Sequence, residues 1–338
     1  MAEIHILNVG QGDCAIIQSN SGHVTMFDIC GGNISAQEDR SSLTYHEKAA
    51  VLGNYRMCQH PTNPIAFLKN KIGKTSIFRF ILSHPDMDHL DGFNKLISEC
   101  AVSNFWDSGV RRDKPNFKGS PYKEEDWDRY VKVRDGNEDG IKVVSPISGS
   151  KNKYYNKDDN GKGGDYIYVY APTKDLVDCA NKSDDCEDVN NASYVIVYRT
   201  AGGRILLPGD AHDKTWEHVI ENYESELLEC ELMLAPHHGR DSDRSWDFLE
   251  KIKPQFSVLG CASSKHLAYD AWNRRGLEKI TQNQAGNIAV YPDSDGLSVY
   301  VENDRFAQAY GGDTSTTDKY GNCYLTYIKK LTNIKSKS

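Results

Sequence analysis

The chain has 338 residues, with 40 Lys and Arg against 48 Asp and Glu for a net charge of −8, a mass of 38.0 kDa and a pI near 5.8. That balance excludes a wholly basic nucleic-acid coat protein, whose affinity would come from Lys and Arg displacing counterions. A hydrophobic content of 38% and a mean hydropathy of −0.62 exclude both wholesale disorder and a membrane-spanning bundle.

No run approaches the roughly 18 apolar residues that a spanning helix needs. The start Met1-Ala2-Glu3-Ile4-His5 has neither the basic nor the apolar stretch of a secretory signal. The expected location is the cytoplasm, with no membrane partner. The nine cysteines are scattered and form no C-x-x-C pair, so reduced, mostly buried thiols are expected.

In chain order, hydrophobic alternation predicts a meander of strands over Glu3 to Val9, Cys14 to Gln18 and Val24 to Ile29, the last carrying Asp28 before Gly31-Gly32. Residues 33 to 62 read as irregular. Asn63 to Lys71 reads as a helix with Pro64 in its first turn, and Ile77 to Leu82 as a buried strand.

Between Arg111 and Lys174 the composition changes, with 14 Lys and Arg against 11 Asp and Glu. This stretch reads either as a solvated surface loop or as a basic, aromatic flap over a site that receives a polyanion. Beyond it, strands are predicted at Tyr166 to Ala171, Ser193 to Arg199, Arg204 to Leu207, Glu231 to Leu234 and Phe256 to Gly260. Helices are predicted near Lys214 to Glu224, Ser245 to Lys251 and Tyr269 to Arg275. The pattern is mixed α/β, with most elements in one domain.

The densest chemistry follows Ile77 to Leu82. The run Ser83-His84-Pro85-Asp86-Met87-Asp88-His89-Leu90-Asp91-Gly92 places two imidazoles and three carboxylates within eight positions. Carboxylates crowded in this way repel one another unless cations lie among them. The spacing of His84, Asp86, Asp88 and His89 therefore points to metal.

HPDMDHLDG resembles the HxHxDH motif of the metallo-β-lactamase superfamily, in the form with Asp at the second His position. With the upstream LNVGQGD and FDICGG, it is similar to the hydrolase domain of the competence protein ComEC and its free-standing relatives. The phosphorylcholine esterase branch is also similar. The resemblance covers roughly residues 3 to 35, 63 to 106 and 166 to 300. It implies a metallo-β-lactamase fold, a four-layer αββα sandwich with two mixed β-sheets. One hydrolase domain would span 1 to 338, with a basic, aromatic insertion at about 107 to 165.

The resemblance also implies a ligand set. Asp210, ending Ile205-Leu206-Leu207-Pro208-Gly209-Asp210, matches the carboxylate that bridges two metals. His237 and His238 match the HHG motif, and His266 stands where the last ligand is placed. The implied metal ligands are His84, Asp86, Asp88, His89, Asp210, His237 and His266, holding two divalent ions, Zn²⁺ or Mn²⁺. Asp88 and His238 are the implied catalytic residues, with the assignment of ligand between His237 and His238 open, and His266 either ligand or general acid. Asp28, Asp13 and Asn191 would support the ligands from behind, and Ser264, Lys265 and Arg240 would contact substrate.

The implied reaction is hydrolysis of a phosphodiester by a hydroxide bridging two metals, which suits a nuclease acting on DNA, single strands favoured. Small-molecule ester, lactone or β-lactam hydrolysis is the alternative within enzymes. A metal-stabilised binding or sensing module is the alternative outside them, and either leaves room for a protein partner in a multi-component system.

Overall fold

The alternation at the start of the chain folds as read. Strands β1 (Glu3–Ile6), β2 (Ala15–Gln18) and β3 (Val24–Phe27) form an antiparallel meander in the computed structural model, with Ile4 opposite Ile17 and Ile16 opposite Met26. The structure describes residues 2–35, 53–157, 164–183, 185–224, 228–242, 244–262 and 264–331. Parts of the irregular stretch (36–52) and of the Lys/Tyr-rich segment (158–163), together with Ser263, lie outside the described residues.

Asn63 accepts hydrogen bonds from the backbone N–H of Ile65 and Ala66, and Pro64 takes the first helical position, where its missing N–H leaves nothing unpaired. The helix Pro64–Ala66 continues as the wider-wound stretch Phe67–Ile72. Strands β4 (Ser76–Ile81), β5 (Ala101–Trp106) and β6 (Lys142–Val144) then extend the sheet in parallel beyond β3.

The second sheet holds β7 (Ile167–Ala171), β8 (Val195–Thr200), β9 (Gly203–Leu207), β10 (Leu232–Leu234), β11 (Phe256–Leu259) and β12 (Lys279–Thr281). It is antiparallel from β7 to β9 and parallel from β9 to β12. The chain then returns to the first sheet as β13 (Ile288–Pro292) beside β1, followed by β14 (Gly296–Val301), β15 (Asp313–Thr317) and β16 (Cys323–Lys329).

Side chains alternate across each strand, and the central strands of each sheet bury both faces. Ile4, Phe27 and Ile81 of the first sheet meet Ile196, Leu207 and Val258 of the second in the central layer. Phe80 and Phe105 point the other way, onto the helices Phe93–Glu99 and Glu124–Arg134. Leu206 and Met233 pack outward against Trp216, Leu249 and Trp272. Each large apolar side chain removed from water in this way contributes roughly 1.5–3 kcal/mol. The result is the four-layer αββα sandwich with two mixed sheets that the resemblance implies.

Three expectations need correcting. The stretch read as loop or flap contains the helix Glu124–Arg134 and the edge strand β6. Its apolar face is Trp127, Tyr130 and Val133, a thin stripe hidden among charged neighbours in EEDWDRYVKVR. The helices Lys174–Ala180 and Cys186–Asn191 were not read, and the helix near Ser245 to Lys251 is reduced to Leu249–Ile252. Cys58 and Cys261, 203 positions apart with Cα atoms 5.7 Å apart, form a disulfide. Sheet stacking brings that pair together, which sequence spacing does not reveal.

Candidate metal centre

The site lies where the carboxyl ends of β3 and β4 meet those of β9 and β10, so that each sheet supplies part of it. From β4 the chain enters Ser83-His84-Pro85-Asp86, followed by a single tight turn over Met87–His89. His84 and His89 are completely buried, with ring centroids 4.3 Å apart.

Asp28, just past β3, orients this loop. One of its oxygens accepts the Ser83 N–H at 2.6 Å, and the other lies 2.8 Å from Nδ1 of His89. A carboxylate only accepts, so in the neutral ring the proton belongs on Nδ1 and the lone pair is left on Nε2. Ser83 Oγ, 3.0 Å from Nδ1 of His84, can orient that ring in the same way.

From β9 the chain runs through Gly209, at φ 51, to Asp210. A Cβ on Gly209 would come 2.6 Å from Ser83 Cβ, so only glycine lets the two strand ends approach this closely. Asp210 places Oδ1 3.3 Å from His89 Nε2 and Oδ2 3.9 Å from His84 Nε2. Burial works to raise its pKa, but His238, His89 and His237 hold the carboxyl well below the usual carboxylate range. Asp88 is likewise held low against burial, by His89 and His238.

From β10 the chain reaches His237 and His238, both in the left-handed region at φ 52 and 58. Such backbone costs about 1–2 kcal/mol per non-glycine residue and concentrates at working sites. His238 Nε2 lies 3.3 Å from Asp88 and 3.8 Å from Asp210, while its Nδ1 lies 3.1 Å from Asp13 Oδ1. Asp13 reaches the site because Gly12 lets the turn after β1 press against the Asp88 carbonyl, where any Cβ would collide.

Three overlapping sets result: His84, His89 and Asp210; Asp88, His89 and His238; Asp13, Asp210 and His238. Within each, the donor atoms lie within 4.8 Å of one another. Nε2 of His84, His89 and His238, and Oδ1 of Asp210, are buried with no hydrogen-bond partner. Buried polar atoms are nearly always paired. Nitrogen and oxygen donors left bare and facing one another fit a divalent cation.

The other expected residues are placed less centrally. His237 Nε2 is 3.7 Å from Asp210, and its Nδ1 is 2.8 Å from Arg244 Nη2; burial pushes its pKa down to about 4. Asp86 sits at the rim, 3.6 Å from His84 Nε2 and paired with Arg112. His266 and Lys265 are exposed on a short turn, and His266 belongs to none of the donor sets among the described residues. Arg240 is exposed and bridges to Leu267. Asn191 accepts from the Thr215 backbone and hydroxyl, which ties it to the start of the helix Asp213–Asn222. The side chain of Ser264 lies outside the described residues.

Sequence reasoning missed Arg112, Tyr122 and Arg244. Arg112 and Tyr122 come from the first part of the inserted segment, and burial, with the charge of Asp88 adding to it, pushes the Tyr122 hydroxyl up. The basic, aromatic part lies elsewhere. Asp165 accepts from Ser21 and Arg79 and faces His23, and the Tyr154 carbonyl accepts from Arg79. These contacts tie the described part of it to Arg79 within β4 and to the turn before β3, with Tyr155 packed on Trp106. Nothing in the local sequence signals that Arg79 would anchor it.

No protein-family model matches the chain, and no curated protein matches it. Among solved structures it is similar to a metal-dependent hydrolase of the β-lactamase superfamily, at 14% identity over 87% of this chain and 100% of that one, with a TM-score of 0.47. It is similar to the metallo-β-lactamase fold protein YhfI from Bacillus subtilis, at 9% identity over 86% and 100%, with a TM-score of 0.43. A metallo hydrolase from the archaeon Ignicoccus hospitalis is similar at 10% identity over 86% and 100%, with a TM-score of 0.45.

Proposed function

We propose that this chain is a metal-dependent hydrolase of the metallo-β-lactamase type, holding two divalent cations and cutting phosphodiesters, with DNA as substrate. The observation that carries the reading is the convergence of bare Nε2 atoms from His84, His89 and His238 on Asp210. On the far side of each ring, Nδ1 faces Ser83, Asp28 or Asp13. Such outer partners set the ring orientation that a metal needs.

In this reading His84, Asp88, His89, Asp210 and His238 hold the ions, with Asp86 joining from the rim once Arg112 releases it. His238 takes the place that the resemblance gives to His237. Mixed imidazole and carboxylate donors suit Zn²⁺ or Mn²⁺. Two such ions, when bound, lower the pKa of water and polarise the bond to be cut. The chain's own residues do the rest: Asp28, Ser83 and Asp13 orient the imidazoles, and Arg112 presents a cation to an anionic substrate at the rim. Arg240, Ser264, Lys265 and the exposed His266 are the proposed substrate contacts. DNA, single strands in particular, is favoured by the ComEC-like motifs.

The test is a substrate panel with purified protein loaded with Mn²⁺ or Zn²⁺. Single-stranded and duplex DNA, RNA and bis(p-nitrophenyl)phosphate are offered beside nitrocefin and a lactone. Cleavage of DNA and the simple diester, abolished in Asp210→Asn, is expected. A loaded protein that leaves every phosphodiester intact would sink the proposal, and turnover of nitrocefin or lactone alone would replace it with the small-molecule reading.

A further inference from the structure

We infer that His237 is not a metal ligand but a neutral hydrogen-bond donor to the substrate, held in its Nε2–H tautomer by Arg244. The inference rests on the proposed hydrolase reading and names a residue that contacts the substrate in that same site.

The two neighbouring histidines face opposite chemistry. His238 has the Asp13 carboxylate 3.1 Å from Nδ1, and Asp88 and Asp210 3.3 and 3.8 Å from Nε2, so both of its buried ring nitrogens face only carboxylates. With a cation among Asp88 and Asp210 the proton is kept on Nδ1, beside Asp13, and the lone pair of Nε2 faces the cluster. His89 repeats the pattern with Asp28.

His237 has it reversed. Arg244 Nη2 lies 2.8 Å from its Nδ1, and a guanidinium has donors only and keeps its proton throughout the working pH range. Nδ1 must therefore accept, so the proton of the neutral ring lies on Nε2. A nitrogen that carries a proton has no lone pair to give to a cation; ligation would require the ring to become an anion.

Arg244 is built in. It is 6% exposed, its Nη1 donates to the Ala211 carbonyl at 2.6 Å, and its guanidinium lies 5.4 Å from the Trp246 ring centroid. Ala211 directly follows Asp210, so one arginine fixes both the turn that carries the central carboxylate and the ring of His237.

The His237 side chain is 20% exposed, against 0% for His84 and His89, and its Nε2 is 3.7 Å from Asp210 Oδ2. Its N–H therefore faces the cluster from the side that solvent and substrate reach. A fixed donor there meets a non-bridging oxygen of the phosphodiester as negative charge builds on it, and removing one such donor typically costs about 10²–10³ in kcat. His237 keeps its proton throughout. Arg244 acts through it as a positioning residue.

The test uses the full chain. Nitrogen-15 NMR of histidine-labelled protein is expected to show Nε2–H for His237 with and without metal, and Nδ1–H for His238 in the metal-loaded protein. Metal titration is expected to give the wild-type stoichiometry for His237→Gln, with kcat down about 10²–10³ and KM nearly unchanged, whereas His238→Gln loses metal. Arg244→Met is expected to let the His237 tautomers mix, and Arg244→Lys to restore the Nε2–H form in part. An Nδ1–H signal for His237, or loss of a metal equivalent in a cooperatively folded His237→Gln, overturns the inference and leaves the proposed function standing. If the wild type binds no metal, the proposed function falls, and the tautomer in metal-free protein still decides whether Arg244 orients His237. Should the Arg244 variants fail to fold, the unaltered protein and His237→Gln supply both decisive readouts.

Discussion

Asp28 Oδ2 lies 2.8 Å from Nδ1 of His89, and both residues are completely buried. Because Asp28 also accepts the Ser83 N–H, it sets the ring and the start of the metal loop together. Asp28→Asn is expected to weaken metal binding about 10–100-fold with the far-ultraviolet circular dichroism unchanged. Competition against a chromophoric chelator reads this out; unaltered affinity would remove Asp28 from the site.

Arg112 pairs with Asp86 at the rim, so a cation that recruits Asp86 must displace it. A partly exposed pair is worth about 0.2–1 kcal/mol. Arg112→Met is therefore expected to tighten metal binding up to about fivefold, while raising KM for an anionic diester. Calorimetric metal titration beside steady-state kinetics separates the two effects.

Asp126, on the inserted helix, accepts from the backbone N–H of Gly92 and Asn94 and from Asn33 Nδ2. It thereby caps the helix that follows the metal loop from a segment outside the family resemblance. Asp126→Ala is expected to cost about 1–3 kcal/mol, because buried donors lose their acceptor. Urea denaturation monitored by tryptophan fluorescence measures it.

Asp165 is a pH-dependent element away from the metal centre. Burial works to raise its pKa, but the Ser21 hydrogen bond and the Arg79 guanidinium outweigh burial and hold the carboxyl below its usual range. A lowered folded-state pKa means that its stabilisation is present above the unfolded value of about 3.9 and is lost as pH falls through the folded one. The melting-temperature gap between wild type and Asp165→Asn is expected to be largest near neutrality and to close below about pH 4. A gap that is constant with pH would contradict this.

The parts of the site that could be read from the sequence are those written in unbroken runs. His84 to His89, Gly209-Asp210 and Pro236-His237-His238 each sit at a strand end that hydrophobic patterning locates, and Asp28 ends a strand in the same way. The different surroundings of His237 and His238 could not be read, because they depend on a left-handed backbone and on Arg244. Arg112 and Asp126 were hidden in a segment whose charge looked like a solvated surface. The position of the Lys/Tyr stretch turns on the buried Arg79–Asp165 pair, and an arginine in the middle of a strand does not advertise its partner.

Because β4 of one sheet delivers His84, Asp88 and His89 while β9 and β10 of the other deliver Asp210 and His238, an ion bound among them rivets one sheet to the other. Ion activity then becomes a term in the unfolding equilibrium: at a hundredfold excess over the dissociation constant, one site adds about 2.7 kcal/mol. Resistance to heat and to proteases should follow the metal content of the surroundings. Depriving the protein of metal would loosen the central layer as well as silence the centre.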